Sequence, residues 1–74
     1  MAQNPPNDPA ANQEAHMQNV RASQRRGRLI GLRTAFVRYR DLPDKAPIEE
    51  AEFAEVKRWM AELEDEMRAA GQEP

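Results

Sequence analysis

Residues 47–70 read PIEEAEFAEVKRWMAELEDEMRAA, and they contain the clearest structural pattern in the chain. Apolar side chains recur there at alternating intervals of three and four residues, which places them along one side of an α-helix. These side chains are Phe53, Val56, Met60, Leu63, Met67 and Ala70. Pro47 suits the first turn of such a helix, and Gly71 suits the position just after its end. The pattern predicts a helix from Pro47 to Ala70 with an apolar stripe that another surface must cover.

The preceding segment, RRGRLIGLRTAFVRYR at residues 25–40, has a second apolar pattern. Its spacing does not alternate, which favours a helix at about 26–40 over a strand. The face of this helix is predicted to hold Leu29, Leu32, Phe36 and Tyr39, with Ile30 and Val37 widening it. Gly27 and Gly31 each weaken a helix by roughly 1 kcal/mol relative to Ala. Gly31 is also a position where another backbone could approach closely.

The two predicted helices are joined by a short connection, DLPDKAP at residues 41–47. Pro43 disfavours helical angles at Leu42, so the first helix should end near Arg40 or Asp41. So short a connection makes its helices antiparallel neighbours. We therefore predict an all-α fold, an antiparallel helical hairpin over residues 25–71.

The first third of the chain differs in composition from the rest. Residues 1–20 contain three prolines and four asparagines and almost no large apolar side chain. Such a segment cannot bury enough surface to offset the entropy lost on ordering. We predict disorder over residues 1–24, with His16 as a solvated loop residue, and a disordered end at residues 72–74.

Charge divides the chain into three parts. Residues 1–20 carry a net −2, residues 21–40 carry seven arginines and no acid, and residues 41–74 carry a net −7. The total of −2 therefore conceals a strong asymmetry along the sequence. Some of these arginines should face acids of the second helix, such as Glu52, Glu55 or Glu62. Seven arginines exceed what one interhelical edge can use, which leaves part of the cluster for an external partner.

Several function classes are disfavoured by what the sequence lacks. It has no cysteine and one histidine, and no serine or threonine lies near that histidine on a shared helical face. It has no phosphate-binding glycine loop and no run of 18 apolar residues that could span a membrane. The first residues do not resemble a secretory signal. We expect a cytoplasmic protein that is not an enzyme and uses no metal or cofactor.

The size of the predicted hairpin argues for a binding partner. A two-helix unit of about 45 residues lies near the limit below which a single core is marginal. A partner protein or a second copy would complete that core. Arginine and tyrosine are frequent at the centres of interfaces. The predicted partner-binding residues are Arg26, Arg28, Arg33, Tyr39 and Arg40.

A resemblance suggests a class of partner. Nine arginines against two lysines, together with twelve alanines, are typical of a GC-rich coding sequence. A short chain of this composition, with the segments RRGRLIGLRTAFVRYR and EEAEFAEVKRWMAELEDE, resembles the small RNA-polymerase-binding regulators of lytic bacteriophages. The resemblance implies binding to host RNA polymerase in the bacterial cytoplasm, inhibition of initiation by displacement of the σ factor, and antitermination.

Two other functions remain open from the sequence. The Arg-rich segment 21–40 could bind nucleic acid through phosphates, and the apolar seam could form a homodimeric helical adaptor. The −7 segment beside the +7 segment weakens long-range attraction for a polyanion, so contact with DNA should be weak or indirect.

Overall fold

The structure, a computed structural model, describes the backbone of residues 9–74 and the side chains of residues 12–74. It consists of two helices, α1 at Pro9–Arg40 and α2 at Pro47–Ala69. Arg25 contacts Glu66 while Tyr39 contacts Glu52, so the partner number falls along α2 as it rises along α1. The helices are therefore antiparallel, and the predicted helical hairpin is confirmed.

The helices meet along a seam with alternating spacings of three and four residues on both sides. The α1 seam residues, all buried or half-buried, are Ala22, Arg25, Leu29, Leu32, Phe36 and Tyr39. Those of α2 are Phe53, Val56, Met60, Leu63 and Met67. This is the side-chain pattern of two helices packed at a small crossing angle. Ala70, predicted in the seam, instead follows the helix as its exposed C-cap residue.

Most of the core occupies the half of the seam away from the turn, and Val56 is the one buried core residue nearer the turn. Leu29, Leu63 and Met67 form one buried cluster, with Leu32 packed against it. Towards the turn the seam is aromatic: the Phe36 and Phe53 rings lie 5.4 Å apart. Phe36 and Phe53 are only half-buried, so the aromatic end stays partly open to solvent.

The start of α1 differs from the prediction. The helix begins at Pro9 rather than near residue 26, so the predicted disorder is wrong for residues 9–24, while residues 1–8 lie outside the described part. His16 accordingly lies on a helix, although it is exposed as expected. The physical reason is that extending an existing helix costs far less than starting one. Alanine and glutamine, frequent in this segment, are good helix formers and need no packing partner.

This extension leads to a testable expectation about stability. Deleting residues 1–17 should lower the far-UV helical signal, because it removes the first turns of α1, but should barely change the thermal midpoint. The reason is that the side chains of residues 12–19 are all exposed and so add little packing. A longer deletion, of residues 1–24, should lower the midpoint, since it removes the Ala22 carbonyl that accepts a hydrogen bond from Gln72 at 2.9 Å. Equal thermal midpoints for the two deletions would contradict the conclusion that residues 18–24 contribute to the packing of α1 against α2.

The predicted helix signals of α2 are confirmed. Pro47 is the first helical residue, and Ala46 is the N-cap. The Glu49 carboxylate accepts a hydrogen bond from the Ala46 N–H at 2.8 Å, which is half of a capping box because Ala46 has no side-chain oxygen. Glu49 and Glu50 also place negative charge in the first turn, where the helix dipole favours it.

The C-terminal end of α2 is ordered against α1. Gly71 has a φ of 75°, and the Gln72 N–H reaches the Met67 carbonyl at 2.8 Å, which is a Schellman motif. The turn brings residues 72–74 back to α1, where Arg26 donates a 2.7 Å hydrogen bond to the Glu73 carbonyl. The prediction of a disordered end at residues 72–74 is therefore wrong. The reason is that α1 extends back to Pro9, so the reversed chain meets α1 at Ala22 and Arg26.

Candidate protein-binding surface

The predicted binding residues lie on two different flanks of α1. Arg26, Arg33 and Arg40 are seven residues apart and form one row, on the side where Arg33 approaches Glu64 of α2. Arg28 and Tyr39 are eleven residues apart, about three helical turns, and lie on the opposite flank, where Tyr39 contacts Glu52. The five residues therefore do not form one continuous patch.

The row of Arg26, Arg33 and Arg40 is partly engaged within the molecule. Arg33 Nη2 lies 3.6 Å from a Glu64 oxygen, and Arg40 Nε lies 3.0 Å from a carboxylate oxygen of Asp41. The arginine side chains of both pairs are about half exposed, so each pair contributes little, about 0–1 kcal/mol. These guanidinium groups can therefore exchange their present acceptors for those of a partner at low cost.

Tyr39 has a structural task. Its hydroxyl donates a 2.9 Å hydrogen bond to Glu52, and its ring stacks on Phe53 with centroids 6.3 Å apart. The hydrogen bond to the Glu52 carboxylate raises the pKa of the Tyr39 phenol, because it favours the protonated form. Tyr39 thus links the two helices beside the turn, and the proton of its hydroxyl is already donated to Glu52.

Arg25, one of the seven arginines of residues 21–40, belongs to the seam. It follows Ala22 and precedes Leu29 at seam spacing, and its side chain is 19% exposed. Its Nε donates to Glu66 at 3.0 Å, and its Nη1 lies 3.5 Å from the Gln72 amide oxygen. A charged group at a seam position is satisfied in one pairing of the helices and is left without partners in others, so Arg25 favours the observed register.

Three arginines of α1 have free side chains. Arg21, Arg28 and Arg38 are exposed, and they make no ion pair or side-chain hydrogen bond with any residue that the structure describes. By contrast, Arg58 of α2 bonds Glu55 at 2.8 Å and Glu62 at 3.1 Å within its own helix. The expectation that Glu55 and Glu62 would face α1 arginines is therefore wrong. Because these two acids pair along their own helix, they do not compensate the charge of Arg21, Arg28 or Arg38.

The side of α1 turned away from α2 carries a second apolar surface, which we name the outer face. It consists of Ser23, Gly27, Ile30, Gly31, Thr34 and Val37. Ile30 is 57% exposed and Val37 is 42% exposed, so the prediction that they widen the core-facing side is wrong. Each follows a seam residue directly, and adjacent helix positions point about 100° apart. With one neighbouring helix, α1 can bury one of the two faces and not both.

The outer face has no side chain at two of its positions, Gly27 and Gly31, and the hydroxyl of Thr34 is already hydrogen-bonded. A Cβ built on Gly27 or Gly31 would meet nothing within 4 Å, so neither glycine serves a close approach of the two helices. The Thr34 hydroxyl donates to the Ile30 carbonyl at 3.0 Å and needs no further partner. Sequence reasoning missed this face, although the seven-residue interval between Ile30 and Val37, offset by one from Leu29 and Phe36, indicated it.

The described residues offer no group of three or more His, Cys, Asp or Glu side chains able to hold a metal ion. Within the same residues, neither helix is long and apolar enough to cross a membrane. No family model, curated protein or solved structure matches the chain. The resemblance to phage regulators of RNA polymerase therefore stays a prediction.

Proposed function

We propose that this chain is a small protein-binding transcription regulator that acts on a large host assembly. Bacterial RNA polymerase is the leading candidate, and the resemblance implies inhibition of initiation through σ displacement, and antitermination. The chain would then work in the cytoplasm of the host cell, by contact rather than catalysis and without a cofactor. Nucleic-acid binding through residues 21–40 and a homodimeric helical adaptor are the alternatives.

One observation carries the proposal: α1 presents to solvent an apolar outer face, and some of the arginines beside it pair with no acid among the described residues. Ile30 and Val37 are exposed, while Arg28 and Arg38 have no side-chain partner in the described part of the chain. Apolar side chains together with arginine are the composition of interface centres. A partner that covered this surface would add burial to a hairpin with a small core of its own.

The proposal predicts that charge reversal on α1 removes partner binding. The variant Arg28→Glu with Arg33→Glu should retain at least about tenfold less RNA polymerase on the tagged protein, because arginine is enriched among interface hot spots, each of which costs about 2 kcal/mol or more when lost. The matched control, Arg58→Glu with Arg68→Glu, makes the same change of net charge on α2 and should retain polymerase normally. Far-UV circular dichroism should show that both variants remain helical.

A salt titration on duplex DNA separates the nucleic-acid alternative. A phosphate binder with six or more contacts should lose about 10³-fold in affinity between 50 and 200 mM salt. The protein-partner proposal expects weak DNA binding and specific retention of polymerase. Micromolar DNA affinity with that steep slope, and no polymerase on the tagged chain, would reject the proposal in favour of nucleic-acid binding.

A further inference from the structure

We infer that the outer face of α1 is a docking site for an acidic amphipathic helix of the partner protein. This inference rests on the proposed function, namely that the chain works by contact with another protein. It adds which face makes the contact and what kind of element binds there.

The apolar spacing of the outer face matches a helical ligand. Ile30, Thr34 and Val37 lie at positions i, i+4 and i+7, which is the spacing by which one helix meets another. Ile30 is the most exposed large apolar side chain of α1, at 57%. Its burial by a partner would remove from water the apolar area that α2 leaves uncovered.

The glycines set how near a second helix can come. Gly27 and Gly31 lie one turn apart beside Ile30, with nothing within 4 Å of the position that a Cβ would take. A helix laid over them can bring its backbone closer than it could over larger side chains. Close approach increases the number of atoms in van der Waals contact around Ile30, so the shape of the face suits an elongated, regular element.

Charge identifies the occupant. Between residues 15 and 40 α1 carries no acid, and the outer face is bordered by Arg26 and Arg33 on one side and by Arg28 on the other. Arg38 follows Thr34 by four residues and so lies at the C-terminal end of the face itself. A helix with glutamates or aspartates flanking its apolar stripe would complement both borders. The α1 helix of a second copy would instead place arginines against arginines. Complementarity therefore favours an acidic helix at this face over the α1 helix of a second copy.

The test uses a synthetic amphipathic helical peptide, with leucines at three- and four-residue spacing and glutamates on both flanks, labelled for fluorescence anisotropy. Its counterpart carries lysine at every glutamate position. The full chain should bind the acidic peptide at physiological ionic strength and should bind the lysine peptide at least about tenfold more weakly.

Two variants locate the binding site. Ile30→Glu should weaken binding of the acidic peptide roughly tenfold or more, since it removes the central apolar contact and adds a negative charge. Ile48→Glu makes the identical substitution at a 69% exposed isoleucine of α2 and should leave binding unchanged. Circular dichroism of both variants should match the parent, because neither isoleucine belongs to the core.

Three results would overturn the inference: equal binding of the two peptides, equal effects of the two isoleucine variants, or a dimer in sedimentation equilibrium that Ile30→Glu dissociates. The last would identify a second copy as the occupant. Failure here is distinguishable from failure of the proposed function. If Ile30→Glu retained polymerase and the α1 arginine variant did not, the outer face would be rejected as the docking site, while the proposed function would stand. Peptide binding without any retention of polymerase would reject that partner and leave the docking site supported.

Discussion

Replacing Leu63 with alanine is expected to unfold a large part of the population of this protein. Leu63 is 2% exposed and packs with Leu29 and Met67 in the buried cluster of the hairpin. Removing a buried leucine side chain costs about 2–5 kcal/mol, from lost burial and from the cavity that remains. That loss is comparable with the whole stability that so small a domain can hold.

Urea denaturation followed by far-UV circular dichroism measures this effect. The control is Ile48→Ala, a substitution of similar size at a side chain that is 69% exposed, which should change the free energy of unfolding by no more than about 0.5 kcal/mol. If Leu63→Ala unfolded at the same urea concentration as the parent, the seam would not be packed internally, and the buried cluster would have to be assigned differently.

Replacing both Gly27 and Gly31 with alanine is expected to have a large effect of the opposite sign. Each glycine lies inside α1, and an added Cβ would meet nothing within 4 Å. Alanine at such a site stabilises a helix by about 0.5–1 kcal/mol, because it reduces the conformational freedom of the unfolded chain. The double variant should therefore gain about 1–2 kcal/mol, and 1 kcal/mol shifts the midpoint of a domain of this size by about 4–8 °C.

Gly71→Ala provides the contrasting control for a thermal melt. It makes the same chemical change where φ is +75°, in the Schellman turn at the end of α2. A Cβ in that left-handed conformation costs roughly 1–2 kcal/mol, so the midpoint should fall although no atom obstructs the Cβ. A double variant at Gly27 and Gly31 that also lost stability would mean that the outer face is already covered, as it would be in a dimer.

The limits of the sequence are clearest in α1. Its periodicity predicted a helix with Leu29, Leu32, Phe36 and Tyr39 on one face, and that face is the seam. The start of the helix was misplaced because composition suggested disorder, while in the structure helix propagation from the paired segment continues back to Pro9. Local composition does not include the contribution of a neighbouring helix that holds the later turns in place.

The sequence predicts the environment of the candidate binding residues only in part. The excess of arginine predicted that some cations would remain free, and Arg28 is among those without a side-chain partner in the described residues. The pairs Arg25–Glu66 and Arg33–Glu64 join residues 41 and 31 positions apart, so they depend on the register of the two helices. The seam spacing of each helix is compatible with several registers, and spacing alone does not choose among them.

The sequence by itself determined the hairpin. The spacing of apolar residues in α2 predicts its side of the seam, because that spacing follows the 3.6-residue helical period. Pro47 predicts where α2 begins, Gly71 where it ends and Pro43 where the chain turns, because each acts through local stereochemistry. Tertiary structure alone decided how wide the buried face of α1 is, and it left Ile30 and Val37 outside it. Leu29 and Ile30 are adjacent and equally apolar, yet one is 0% and the other 57% exposed. A single neighbouring helix covers only one side of α1, and the width of the strip that it covers depends on how α2 packs.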